Sequence, residues 1–383
     1  MEPGCAVKEL AARGPVTLAT AEAWRVSVPM LEPFRISSGE VAAKDAVVVR
    51  LSDGMHWGWG ESSAMGGGFY SWETPDFCQQ ELIDKVLPRL VGRSWPTMLA
   101  LEQELASVTS SHFVRVAIET AAWEILARAA GVPLRTYLGL PDAAVRSGLA
   151  IGLHDTEREL VAAIDRNGYR NYGRLKIKIK RGQDVSLVEA VREHVGDFPL
   201  FVDANADYSL ADIDIFRKLD RYGLMMFEQP LAREALEDSA ELQRQVRTPI
   251  CMDESIETAD DATRAAKLGA CRIVNIKLQR VGGYLEAMRI AEVCQQHDIG
   301  MWMGTMPELG IGSAQALMFA SHPGCRYPTD VEPSRRWYCD DIVSPALELR
   351  EGEFVMPAGA GLGFDVDMER WKPYLRGSWS FGR

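Results

Sequence analysis

Five charged residues stand at almost even intervals: Lys178, Asp203, Glu228, Asp253 and Lys277 are 25, 25, 25 and 24 positions apart. Each ends a short apolar run, such as Leu200-Phe201-Val202 before Asp203 or Met225-Met226-Phe227 before Glu228. Three carboxylates between two amines offer oxygen ligands for a divalent cation and two groups that can move protons. An all-oxygen set favours Mg2+, with Mn2+ as the alternative, over zinc. A buried trio of carboxylates is also untenable without a cation. A lysine with its ordinary pKa of about 10.4 is no base at neutral pH. Lys176, two residues before Lys178 and so on the same strand face, should lower that value together with the metal, and Arg280 should do the same for Lys277.

The ruler-like spacing is that of consecutive βα units, each a strand, a helix and two loops. In a (β/α)8 barrel functional side chains project from the C-terminal strand ends, which would gather all five round one cavity. Counting Gly148–Leu153 as the first strand puts Lys178 on the second and Lys277 on the sixth, opposite each other in an eight-strand ring. Later strands are expected at Gly300–Gly304 and around Cys325–Tyr327. Ser209 reads as a helix N-cap, with Leu210, Ile213 and Leu219 on one face. Ahead of the barrel, Trp24–Val28, Ala46–Val49 and Met55–Glu61 read as strands. A glycine-rich loop, Gly66–Tyr70, and helices follow, one of them opened by Thr74-Pro75. The fold class expected is therefore α/β: a modified TIM barrel with an α+β capping domain made from the N-terminal region and the C-terminal tail. The expected divisions are 1–20, a loose extension; 21–145, the cap; 146–344, the barrel; and 345–383, a segment returning to the cap.

The chain's 383 residues are enough for a barrel plus a second module. A net charge of −12 argues against nucleic acid or an anionic membrane surface as partner. Seven cysteines without a two-residue spacing form neither a zinc framework nor a secreted disulfide scaffold. No run approaches the roughly 20 apolar residues of a membrane span. A cytoplasmic enzyme is expected. The six histidines show no metal-ligand spacing, which disfavours a metallohydrolase. Gly359, Gly361 and Gly363 have no βαβ unit around them and read as a turn, not a dinucleotide fingerprint.

The motifs Lys176-Ile177-Lys178, Asp203-Ala204-Asn205, Glu228-Gln229-Pro230, Asp253-Glu254-Ser255 and Asn275-Ile276-Lys277 together resemble those of the enolase superfamily, in its muconate-lactonising branch. The likeness covers roughly residues 22–375. Within the branch, Arg174–Ile179, Arg280–Gly283, Gly310–Gly312 and the stretch from Asp330 to Asp341 are most similar to N-acylamino acid racemases and o-succinylbenzoate synthases. The resemblance implies Mg2+ held by Asp203, Glu228 and Asp253, an acid/base pair of Lys178 and Lys277, and removal of the proton α to a carboxylate through an enediolate. It implies supporting roles for Lys176, Asn205, Glu254 and Arg280, and a cap loop carrying Phe69 and Tyr70 that closes over the substrate. The expected partner is a small carboxylate substrate, and relatives of the fold form homo-oligomers.

Several positions depart from the family pattern. They are Ala150, Leu278-Gln279, Thr305, Pro307 and Glu332-Pro333, most of them substrate-facing, so the chemistry is read more firmly than the substrate. Racemisation of N-acylated (N-succinyl) amino acids is favoured, with o-succinylbenzoate synthesis on the same site. A muconate cycloisomerase is the alternative, supported by Met306 and Glu308 in Gly304–Glu308. An alternative of another class is a barrel that binds metal and ligand without turnover, against which stands the chemical competence of all five strand-end residues.

Overall fold

The computed structural model describes residues 5–36, 39–68 and 70–382. Its cap is built on a four-stranded antiparallel sheet in the order Leu375–Phe381, Thr20–Ile36, Gly39–Ser52, Trp57–Ser62. The first strand pairs along nearly its whole length, Ala23 opposite Val49 and Trp24 opposite Val48. The last strand of the tail returns to the cap by pairing with the other edge of Thr20–Ile36. The tail hairpin Leu349–Arg350/Glu353–Phe354 instead pairs with Val145–Arg146, just before the first barrel strand.

Helix His112–Ala129 is buried almost all round, because it packs on the cap sheet and also meets a barrel segment. Ser111 caps it, accepting the Val114 N–H. The strand Trp57–Ser62 rides directly on this helix. A Cβ at Gly60 would stand 1.7 Å from the Ala117 carbonyl oxygen, so the packing depends on glycine there.

Seven parallel strands form the barrel in chain order: Leu149–Ile151, Leu175–Lys178, Leu200–Asp203, Phe227–Glu228, Ile250–Met252, Ile273–Ile276 and Gly300–Met303. The eighth strand expected around Cys325–Tyr327 is not formed. Pro323-Gly324 and Pro328 bracket that stretch, and proline cannot donate to a ladder. Single contacts close the gap: Arg326 N–H donates to Met301 O (2.9 Å), Asp330 N–H to Met303 O (3.1 Å) and Gly148 N–H to Thr329 O (2.8 Å). On the open edge of the first strand, the Glu332 carboxylate accepts the Ala150 N–H at 2.9 Å and Arg336 donates to Ala150 O at 3.4 Å. Two side chains thus satisfy the backbone that a neighbouring strand would otherwise pair.

The first 20 residues are not a loose extension where they are described. Cys5–Ala11 is a helix, and Val16–Leu18 pairs with Arg93–Trp95 because Val16 and Leu18 alternate into the core. Thr74 caps its helix, accepting the Phe77 N–H, with Pro75 in the first turn. Ser209 forms a capping box with Asp212, although the first turn there is 3-10. Among the described residues no helix is long and apolar enough to cross a membrane.

Candidate active site

Side chains two apart on a strand share a face, and this period builds the barrel interior in layers. Phe201, Met226, Cys251, Ile273 and Trp302 form a small apolar cluster of their own, with Trp302 Nε1 donating to Cys251 Sγ at 3.3 Å. Moving two residues along each strand from that floor reaches Asp203, Glu228, Asp253, Asn275 and Gly304. The second strand contributes three inward cations in succession, Arg174, Lys176 and Lys178. Arg174 lies over the floor rings, 4.8 Å from the Phe201 centroid, and pairs with Asp330 at 2.5 Å.

The three strand-end acids adjoin one another. Asp203 is in register with Glu228, whose other neighbour, Cys251, stands two residues before Asp253. All three are at most 1% exposed. Lys178 Nζ donates to Asp203 Oδ2 at 2.5 Å. Lys176 Nζ lies between three carboxylates, 2.7 Å from Asp330, 2.8 Å from Glu228 and 3.1 Å from Asp203. Lys277 Nζ is 2.8 Å from Asp253 Oδ2, while Arg280 bonds the other oxygen of Asp253. Asn275 donates to Glu228 Oε1 at 2.8 Å. Glu228 Oε2 has the Lys176 ammonium beside it but accepts no aligned hydrogen bond.

Burial and the neighbouring Asp203 carboxylate push Glu228 up to about 8. Burial works the same way on Asp203, but Lys178 and Lys176 outweigh it and hold that carboxyl below its usual range. Burial would lower Lys277 and Arg280 lowers it further, as expected from sequence. Contact with Asp253 overrides both and leaves the Lys277 amine above its ordinary value. The expected lowering is therefore not found while Asp253 is its partner.

Backbone geometry at these strand ends is unusual. Asn205, Ala206 and Gln229 have φ of 43°, 61° and 34°, left-handed values that non-glycine residues seldom adopt. Gln229 is held there by its own amide. Its Oε1 accepts the N–H groups of Asp253 (2.9 Å) and Ser255 (3.2 Å), and its Nε2 donates to Leu231 O and Ser255 Oγ. The turn after the second acid is thereby tied to the backbone of the third.

A cavity of about 30 Å³ is lined by both lysine bases expected from the sequence, by Lys176, Asn205, Tyr70, Thr305, Met306, Pro307 and Ala150, and also by Phe34, Met65, Asp330 and Trp337. Tyr70 and Asn205 also line an adjoining cleft of about 460 Å³. Tyr70 caps the inner cavity, its hydroxyl 3.3 Å from Lys277 Nζ and its ring 5.3 Å from that ammonium. Phe69 lies outside the described residues. Glu254 accepts from Asn205 Nδ2 at 3.2 Å and is raised to about 7 by burial and by Asp253. Glu308 is not among the lining residues and instead accepts a hydrogen bond from Thr305.

The donor set suits a hard divalent cation, with three buried carboxylates, one of them incompletely hydrogen-bonded. The carboxylates are turned onto ammonium and guanidinium groups, however. Among the described residues no three acidic, histidine or cysteine side chains converge on one point. Taking up an ion would therefore require Lys178 and Lys277 to swing off Asp203 and Asp253.

Asp330, Asn275 and Arg174 received no role from sequence, although Asn275 and Arg174 were legible by parity. Asn275 and Arg174 are inward positions two and four residues before the strand-end lysines. Asp330 follows the segment that fails to become a strand, so no periodicity marked it.

Two family models match the chain: the mandelate racemase / muconate lactonizing enzyme N-terminal domain over residues 19–139 and the enolase C-terminal domain-like model over 155–370. An N-succinylamino acid racemase of Amycolatopsis sp is 39% identical over 349 residues, covering 90% of this chain and 94% of that protein. An o-succinylbenzoate synthase of Geobacillus kaustophilus is 37% identical over 346 residues, covering 90% and 92%. A solved enolase-superfamily structure from Listeria innocua superposes with a TM-score of 0.90 at 31% identity, covering 95% of this chain and 99% of that one. Members of this superfamily are generally Mg2+-dependent enzymes. The cap, the barrel and nearly the full length of the chain are thus accounted for together, and the chain belongs to the mandelate racemase / muconate lactonizing enzyme family of the enolase superfamily.

Proposed function

We propose that this protein removes and returns the proton α to a carboxylate, using Lys178 and Lys277 as the two proton-transfer groups, and that its substrates are N-succinylamino acids, the o-succinylbenzoate precursor, or both. The observation that carries the reading is one cavity lined by two lysines, one ending the second barrel strand and one following the sixth, each paired with a buried carboxylate. Asp203, Glu228 and Asp253 would hold Mg2+, which when bound supplies positive charge against the substrate carboxylate as its α-proton leaves.

The ion pairs support the reading. Lys178 rests on Asp203 and Lys277 on Asp253, and it is the Asp253 contact that holds the proton on Lys277. A divalent ion taking over these carboxylates would release both lysines toward the substrate, and a neutral lysine is what the chemistry requires of a base. Lys178, released from Asp203, would hold the proton taken from one face of the α-carbon, and Lys277 would deliver one to the other. Tyr70 would exclude water and orient Lys277. A cavity of about 30 Å³ has room for little more than a water, so the segment bearing Tyr70 must move to admit substrate.

The test is α-proton exchange followed by NMR in D2O with Mg2+, for both enantiomers of several N-succinylamino acids, alongside turnover of the o-succinylbenzoate precursor and of muconolactone. Exchange into both enantiomers is expected. Turnover of muconolactone alone would replace this reading with a cycloisomerase, and no exchange on any of them would overturn it.

A further inference from the structure

Lys44 is a buried cation outside the set of residues that line the site. Lys44, on the cap strand Gly39–Ser52, is 6% exposed and has no carboxylate within 4 Å among the described residues, although Glu61, Glu308 and Asp45 lie near enough to act on it and the Cys78 thiol faces it. Its ammonium donates to two backbone carbonyls, Ser63 O at 2.8 Å in the cap and Met306 O at 2.9 Å in the loop after the seventh barrel strand. An isolated buried ammonium is costly, and one placed on carbonyls of two different domains holds them together.

Two further bridges converge on the same short stretch of cap. The Glu61 carboxylate accepts the N–H groups of Leu309 and Gly312, both at 2.8 Å, at the start of helix Gly310–Ala320. Gln279, two residues beyond Lys277, donates to Glu61 O and accepts the Ser63 N–H, both at 2.9 Å. Gln279 is one of the positions that depart from the family pattern. Here its amide pairs with the cap backbone as a strand would. The loop 305–307 supplies Thr305, Met306 and Pro307 to the cavity wall.

We propose that Lys44 is a positioning residue whose ammonium clasps the loop 305–309 to the cap, so that the cavity wall and the Lys277 arm are set by one cap segment, Glu61–Ser63. The catalytic consequence rests on the function proposed above; the clasp itself does not. Burial lowers the Lys44 amine to about 8, against the opposing pull of Glu308, Glu61, Asp45 and Cys78, so the clasp loses its charge just above neutral pH.

The experiment is hydrogen exchange by mass spectrometry on full-length wild type, Lys44→Met and Lys44→Arg, with thermal midpoints measured in parallel. Lys44→Met should raise exchange in peptides covering 304–312 by roughly tenfold, the equivalent of one charge-assisted hydrogen bond, without raising it in helix His112–Ala129. Lys44→Arg should restore part of the protection. After correction for intrinsic rates, wild-type protection of 304–312 should weaken as pH rises through about 8, and Lys44→Met should lack that limb. Unchanged exchange at 304–312, or a loss spread evenly over the chain, overturns the clasp. With N-succinylamino acids, Lys44→Met should raise KM more than it lowers kcat. A wild type that exchanges no α-proton would defeat the functional reading, and the exchange data would still decide for or against the clasp.

Discussion

The Lys277 ammonium lies 2.8 Å from Asp253 Oδ2, so one of the two candidate bases rests on one of the three candidate metal ligands. Lys178 stands in the same relation to Asp203. Each lysine occupies charge that a divalent ion would supply, so on the proposed function metal binding would be coupled to release of the bases through these two contacts.

It follows that Mg2+ should stabilise the protein by mass action. A ligand that binds only the folded state adds about 2.7 kcal/mol at a hundred times its Kd. The thermal midpoint should rise with Mg2+, fall back with EDTA, and lose its Mg2+ dependence in Asp253→Asn or Glu228→Gln. A midpoint insensitive to Mg2+ in wild type would contradict the metal assignment.

Gly304 tests the inward layer without touching a charged group. A Cβ there would stand 2.2 Å from Asn275 Oδ1, forcing out the amide that donates to Glu228. Gly304→Ala should lower kcat/KM by tenfold or more, about 1.4 kcal/mol, and weaken the Mg2+ response, while far-ultraviolet circular dichroism stays unchanged. Wild-type kinetics in this variant would show that Asn275 does not matter to the site.

In the cap, Gly60→Ala should be strongly destabilising, because the obstacle is backbone rather than a side chain that can rotate. Overpacking costs typically 1–3 kcal/mol, and the contact of 1.7 Å places this position at or above about 3 kcal/mol. Urea unfolding measures it, with Gly359→Ala as a comparison where the nearest atom to a Cβ is 3.8 Å away.

Glu119 gives a pH dependence away from the metal site. Its carboxylate accepts the N–H groups of Tyr284 and Leu285 and of the Trp123 ring, yet burial raises it from 4.5 to about 7. The folded state then binds a proton that the unfolded state has released. Its contribution to stability is complete below about 4.5 and is lost as pH rises through about 7. Glu119→Gln should flatten the fall in stability between those values, measured as thermal midpoint against pH. An unchanged slope would assign that dependence to other buried carboxyls.

The strand-end acids and lysines were legible because the βα repeat is regular between 175 and 303 and each inward position ends an apolar run. Thr74 and Ser209 were legible because capping is local chemistry. The failed eighth strand was not, since Cys325–Tyr327 has strand-like residues and only the bracketing prolines and glycine deny it a ladder. The N-terminal helix and strand were missed because Leu10, Val16 and Leu18 are too few to show a period before their partners are known. The bridges of Lys44, Gln279 and Glu332 join segments far apart in the chain, and nothing local distinguishes them from surface polar residues. The neutralising partners of the lysines depend on geometry in the same way.

The central claim is that two lysines serve opposite faces of one α-carbon, and α-proton exchange in D2O with Mg2+ tests it most directly when each N-succinylamino acid enantiomer is offered separately to wild type, Lys178→Ala and Lys277→Ala. Loss of a general base costs about 10²–10⁴-fold. Wild type should exchange the α-proton of both enantiomers, while each variant loses exchange by about that factor from one enantiomer and retains it from the other. Variants that both exchange as wild type does, or that both lose the same enantiomer, would contradict the two-base account.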